Sequence, residues 1–118
     1  MKPLFVQYAK CGTCVKASKW LKANGIEADS RDIVTANPTK EELTVWIEKS
    51  GLPIQKFFNT CGTKYKELGL KDVVKTAPKD ELINLLASEG MLVKRPILVK
   101  GDTVLVGFKE ADWQEKLL

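Results

Sequence analysis

Histidine is absent from this chain of 118 residues, and that absence removes more chemistry than any other feature of its composition. Without imidazole there is no Cys-His pair, no Ser-His-Asp triad and no mixed Cys/His zinc site. Cysteine is scarce, with three residues: Cys11, Cys14 and Cys61. Three thiolates fall short of a four-thiolate zinc site within one chain, so no metal is expected. An odd count also argues against a framework of structural disulfides. Arginine appears only as Arg31 and Arg95 among 19 basic residues. The net charge is +4, yet the lysines are interleaved with Asp and Glu, and no segment joins a basic stripe to stacking aromatics. A solvated lysine-rich surface is the better reading than direct nucleic-acid binding.

Long apolar runs are missing as well. No stretch suffices to cross a bilayer, and the N-terminal segment lacks the pattern of a secretory signal. A cytoplasmic monomer that avoids membranes is therefore expected. Internal repeats, low-complexity tracts and Gly/Ser linkers are lacking too. Residues 1–118 read as one domain, large enough for a real hydrophobic core.

What is present is a clear order of elements. Residues 3–8 read as a buried strand, and a helix follows with Ala17, Trp20 and Leu21 on one face. Asn24-Gly25 stops that helix, and residues 26–34 read as a second strand. Strand, helix and strand within about 30 residues make a βαβ unit with parallel strands. Thr39 and Glu42 form a capping box for a helix whose inner face is Leu43, Trp46 and Ile47, ending at Gly51. A short helical stretch runs from Leu52-Pro53 through Phe57-Phe58. A turn follows at 59–62, then a short helix carrying Tyr65, Leu68 and Leu70. Another helix begins near Ala77-Pro78, turns Leu82, Leu85 and Leu86 inward and stops at Gly90. Arg95 to Val99 is a strand, Thr103 to Val106 its antiparallel return, and a last helix from about Glu110 carries Trp113 and Leu117. The three tryptophans read as core. The fold class is α/β. Removing the helices of about 37–90 leaves a thioredoxin-like core with a helical insertion between the second and third strands.

Cys11-Gly12-Thr13-Cys14 carries the chemistry. The pair follows a strand and opens a helix, where the dipole and free N–H groups favour a thiolate. Cys11 lies in front of the helix and is the expected nucleophile. Cys14, one turn in, is placed to resolve a mixed disulfide. The other reading is half a zinc site, for which the remaining ligands are missing. Arg95-Pro96 is the second candidate: Arg95 to stabilise a thiolate or an oxyanion, or else a surface arginine before an ordinary strand-opening proline. Cys61 is either a further thiol or a small buried hydrophobe. Lys10, beside Cys11, is either a pKa-lowering neighbour or a solvated lysine.

Three segments carry a family resemblance: Tyr8-Ala9-Lys10-Cys11-Gly12-Thr13-Cys14, Phe58 through Leu70, and Leu92-Val93-Lys94-Arg95-Pro96-Ile97. In order and separation they resemble the glutaredoxin-type arsenate reductase and Spx regulator family, nearly end to end. The resemblance implies a glutaredoxin-like fold, a reactive Cys11, Arg95 near it, and a cis Pro96. Gly12, Thr13, Asn59 and Pro96 become candidate substrate- or thiol-binding residues. Reductases of this type use glutathione and glutaredoxin and hold their oxyanion with three arginines. Here the first and last of those positions fall at about Asn59 and Gly107, leaving Arg95 alone. One arginine neutralises an oxyanion poorly, which argues against arsenate reduction, although N–H groups around Cys11 can still bind an anion. No cofactor is expected to stay bound; glutathione or a thioredoxin system would serve as reductant. The leading expectation is a thiol-disulfide oxidoreductase. The alternative is an Spx-like redox-sensing regulator that binds the C-terminal domain of the RNA polymerase α subunit.

Overall fold

β1 (Leu4–Gln7) lies at the centre of the sheet because its residues are apolar on both faces. The computed structural model describes residues 2–60 and 62–118. β1 pairs in parallel with β2 (Asp29–Asp32), Leu4 opposite Asp29. Parallel neighbours need a crossover, and α1 (Gly12–Ala23) supplies it. On its other side β1 pairs antiparallel with β3 (Ile97–Lys100), which turns through Gly101-Asp102 into β4 (Thr103–Val106). The order β2-β1-β3-β4 is the mixed sheet of a glutaredoxin-like thioredoxin fold.

Alternation along β1 and β3 divides the core. Phe5 and Leu98 face α1 and α6 (Glu110–Leu117), where Trp20, Leu21 and Trp113 pack with them. Trp113 meets Trp20, Phe5 and Phe108 edge-on, a geometry that suits aromatic quadrupoles. Val6 and Ile97 face the larger cluster formed by α2 (Lys40–Ser50), α3 (Thr63–Glu67), α4 (Leu70–Thr76) and α5 (Lys79–Ser88). All three tryptophans are buried, as their helical positions imply.

Several expectations change in detail. The second strand is only Asp29–Asp32, not 26–34. Ile26 and Ala28 pack against the Trp20 cluster before the ladder begins. The helix expected around Tyr65 to Leu70 is two, because Gly69 adopts a left-handed conformation between α3 and α4; Leu68 is exposed as a result. In α5 the buried positions are Leu82, Ile83 and Leu86, with Leu85 only partly covered. Gly90 follows the end of α5 but is not its left-handed cap. It begins a short 3-10 turn, Gly90–Leu92, pressed against the Ile33 carbonyl, where a Cβ would sit 2.1 Å from that oxygen.

The segment after β2 is fixed to α2 by ion pairing and capping together. The Arg31 guanidinium grips Glu42 through Nη1 and Nη2, and also donates from Nε to the Ala36 carbonyl and from Nη2 to the Asn37 carbonyl. Glu42 accepts from the Thr39 N–H, completing the capping box. Hydrogen bonds from Arg31 hold the Glu42 carboxyl at about 2 against an ordinary 4.5, with burial opposing and the Thr39 N–H assisting. A depressed acid pKa stabilises the fold above the unfolded value, and that stabilisation fades as pH falls through the folded value. The loss therefore spans pH 4.5 down to 2. With both side chains partly exposed, Glu42→Gln should cost about 1–2 kcal/mol at pH 7 and flatten acid denaturation over this window. Urea titrations of both proteins across that range measure it.

Candidate functional site

The chain leaves β1 and turns so that the Cys11 N–H donates to the Tyr8 carbonyl at 3.0 Å. Cys11 then takes the N-cap of α1 with extended backbone, and its side chain makes no capping bond. Its sulfur, half-buried, lies near the Thr13 and Cys14 N–H groups. No acidic residue stands in the first turn to repel a thiolate. Cys14 lies one turn in and is fully buried, its sulfur accepting the Tyr8 N–H at 3.5 Å. Both cysteines are free thiols.

The two sulfurs differ in their hold on a proton. Partial burial works against a Cys11 thiolate, but the Cys14 N–H, the Cys14 thiol, the Thr13 N–H and the Arg95 charge together outweigh it. The Cys11 pKa falls below the usual thiol value of 9.0. Burial pushes Cys14 up to about 12, helped by the hydrogen bond to Cys11 and its charge, and opposed by the Tyr8 N–H and Arg95. A thiol that ionises more readily, beside one that holds its proton, is the arrangement of a nucleophile with a resolving partner.

Arg95 precedes a cis peptide bond to Pro96. Its guanidinium lies 5.2 Å from the centre of the Tyr8 ring. Nη1 makes only long bonds to the Met91 and Val93 carbonyls, at 3.5 and 3.4 Å. Nε is buried and finds no acceptor among the described residues. Arg95 is the last and smallest of the influences that lower Cys11. Arg95→Gln should therefore raise the Cys11 pKa by less than Cys14→Ala does. The pH dependence of Cys11 alkylation in the two variants tests the ranking.

Cys11, Thr13, Asn59 and Arg95 line one open cleft of about 700 Å³. Gly12 is exposed at the helix start, while Cys14 and Pro96 are buried beside the cleft rather than lining it. Cys61 lies outside the described residues. Asn59 is held by its N–H to the Leu92 carbonyl at 2.8 Å, which ties the 57–59 segment to the strap that carries Arg95. Gly107 lines the same cleft, so the three positions of the implied arginine clamp do converge. Lys94 has its Cε 3.1 Å from where a Cβ on Gly107 would stand.

Four lysines escape detection in the sequence: Lys56, Lys94, Lys109 and Lys116 join Arg95 in the cleft, against Asp112 as its only lining acid among the described residues. They come from three separated segments, and only Lys109 and Lys116, at the two ends of α6, share one. The lysines read as dispersed in the chain are gathered here by the fold. Among the described residues, no group of three or more His, Cys, Asp or Glu converges as metal ligands would. No helix there is long and apolar enough to cross a membrane.

Fold and site together define a thioredoxin-fold protein with a Cys-x-x-Cys pair at a helix start and an arginine before a cis proline. The chain belongs to the ArsC family, whose model matches residues 6–116. A solved structure of a putative ArsC family related protein from Bacteroides fragilis superposes with a TM-score of 0.95 at 55% identity, covering 98% of this chain and 97% of that one. The uncharacterised protein YusI of Bacillus subtilis is 50% identical, with 98% of each chain covered. The regulatory protein MgsR of the same organism is 30% identical over 92% of this chain and 84% of its own. Relatives in the family include proteins named arsenate reductase and proteins named Spx. A thiol oxidoreductase function fits this company.

Proposed function

We propose that the protein is a thiol-disulfide oxidoreductase in which Cys11 attacks and Cys14 resolves. The observation that carries this reading is the placement of the two thiols, Cys11 at the helix start lining the cleft and Cys14 buried one turn behind it, which favours ionisation at Cys11 and opposes it at Cys14. The Cys11 thiolate attacks one sulfur of a substrate disulfide, and the other sulfur leaves as a thiolate. Once Cys11 is bonded its charge is gone, and with it one of the influences that hold the proton on Cys14. Cys14 then loses that proton to the departing thiolate or to solvent and attacks Cys11. A Cys11–Cys14 disulfide remains and the substrate thiol departs. A thiol reductant, glutathione or a glutaredoxin or thioredoxin system, returns the pair to dithiol in the cytoplasm.

Arg95 stabilises the thiolate and, on the cleft wall, supplies positive charge for an anionic group of the substrate. Gly12 and Thr13 contribute backbone at the helix start, Asn59 a polar wall, and Pro96 the bend beside Arg95. In this reading residues 37–90 are a helical insertion in one thioredoxin-like domain, and they supply Asn59 to the site. Arsenate reduction is disfavoured, because Asn59 and Gly107 stand where the family's clamp has arginines.

Mass spectrometry of the oxidised protein tests the pairing. A Cys11–Cys14 bridge formed on single turnover is the expected product. A bridge from Cys11 to Cys61 would replace Cys14 as the resolving residue. Redox-dependent capture of the RNA polymerase α C-terminal domain, with no turnover of any disulfide, would favour the regulator instead.

A further inference from the structure

The sheet ends on two unlike edges. β2 presents Asp-Ser-Arg-Asp, a short charged edge of the kind that discourages further pairing. β4 presents Thr-Val-Leu-Val, with no charge at all. Val104, Leu105 and Val106 are consecutive and so point alternately to the two faces, yet all three line the cleft that holds Cys11. Only a groove running along the strand's free edge can touch all three.

The register says what that edge offers. The Gly107 N–H donates to the Pro96 carbonyl at 2.8 Å, and Ile97 stands opposite Val106. Antiparallel ladders alternate bonded and non-bonded pairs. Leu105 is therefore bonded to β3, whereas Val104 and Val106 turn their N–H and C=O groups outward. Among the described residues, no backbone or side-chain group outside the sheet meets them.

We infer that this groove takes an extended acidic polypeptide as an added strand on β4, which brings the cysteine of that segment to Cys11. The inference rests on the thiol-disulfide reading and names its substrate class. Main-chain pairing to Val104 and Val106 supplies register, as in other strand-addition complexes. The groove's five cations against one carboxylate supply the preference for acidic sequence. A second copy of this chain is a poor occupant, since each copy carries a net charge of +4. The chemistry balances without an added reductant. Cys11 displaces the leaving thiol from an activated peptide disulfide, and Cys14 then displaces the peptide thiol, leaving the Cys11–Cys14 disulfide.

The test uses the full-length reduced protein and short peptides of equal length, each with a central cysteine as its 2-pyridyl disulfide. Release of 2-thiopyridone gives the rate. Peptides flanked by Asp and Glu should react about tenfold faster than those flanked by Asn and Gln. Combining Lys109→Glu with Lys116→Glu should erase that ratio, and N-methylation of alternate amides in the acidic peptide should remove most of it. Equal rates for acidic and neutral peptides would overturn the inference. So would an acidic advantage that survives N-methylation, or a small dicarboxylic disulfide that matches the acidic peptide. The neutral hydroxyethyl disulfide separates the two readings: if Cys11 fails even with it, the oxidoreductase reading falls. If Cys11 reacts with it but shows no peptide preference, only the strand-addition inference falls.

Discussion

Cys11→Ser is expected to abolish reaction with disulfides while making the fold more stable. Serine at neutral pH carries almost no alkoxide, and the chain has no histidine to take its proton. The rate of attack should fall at least about a thousandfold. The stability change has the opposite sign. Cys11 holds the N-cap of α1 with its sulfur near the Thr13 and Cys14 N–H groups but without a side-chain bond of full capping geometry. Serine is among the best N-cap residues, and a new bond to the first turn should add roughly 0.5–1 kcal/mol. A higher Tm with no reactivity would show that the cysteine is kept for chemistry at the expense of capping. A lower Tm would mean that the sulfur is needed for packing.

Gly90→Ala should be strongly destabilising. The new methyl would meet the Ile33 carbonyl oxygen at 2.1 Å and the Asn37 side-chain oxygen at 2.7 Å. The first is backbone and cannot rotate away. Asn37 is held in place as well, by its bonds to Pro38 and Ala87. The 33–37 segment or the 90–92 turn must therefore move. A cost of about 3 kcal/mol is expected, with Tm falling by roughly 10–20 °C. The harm should reach the site, because the strap from Gly90 to Arg95 carries the Leu92 carbonyl that holds Asn59 and the Lys94 N–H that bonds Phe57. A calorimetric scan of the variant, with the rate of Cys11 alkylation alongside, measures both effects.

What the sequence reveals and what it hides divide along a physical line. Features set by neighbours in the chain are legible. The Thr39–Glu42 box caps α2 as expected, and Gly25 and Gly51 end their helices with positive φ. The strand–turn–helix around Cys11 and the buried Cys14 follow from an apolar run meeting a helical period. Features set by distant segments are not legible. Gly90 resembles a helix stop, but its need for a bare Cα comes from Ile33, far away in the chain. β2 is too polar to be bounded by hydrophobicity, because it is an edge strand whose outer side stays wet. The lysines look dispersed along the chain, and only folding brings Lys56, Lys94, Lys109 and Lys116 around one cleft. Their convergence could not be read from spacing, since they belong to three different segments and only Lys109 and Lys116 share a helix.

The charge state of the Cys11 sulfur is the foundation of the functional account. Its most direct test is the rate of iodoacetamide alkylation against pH, with each cysteine followed separately by peptide mass. The account predicts a midpoint for Cys11 below the usual thiol value of 9.0, while Cys14 stays unlabelled in the folded protein up to that pH. A Cys11 midpoint at or above the ordinary value, or equal labelling of the two residues, would contradict it.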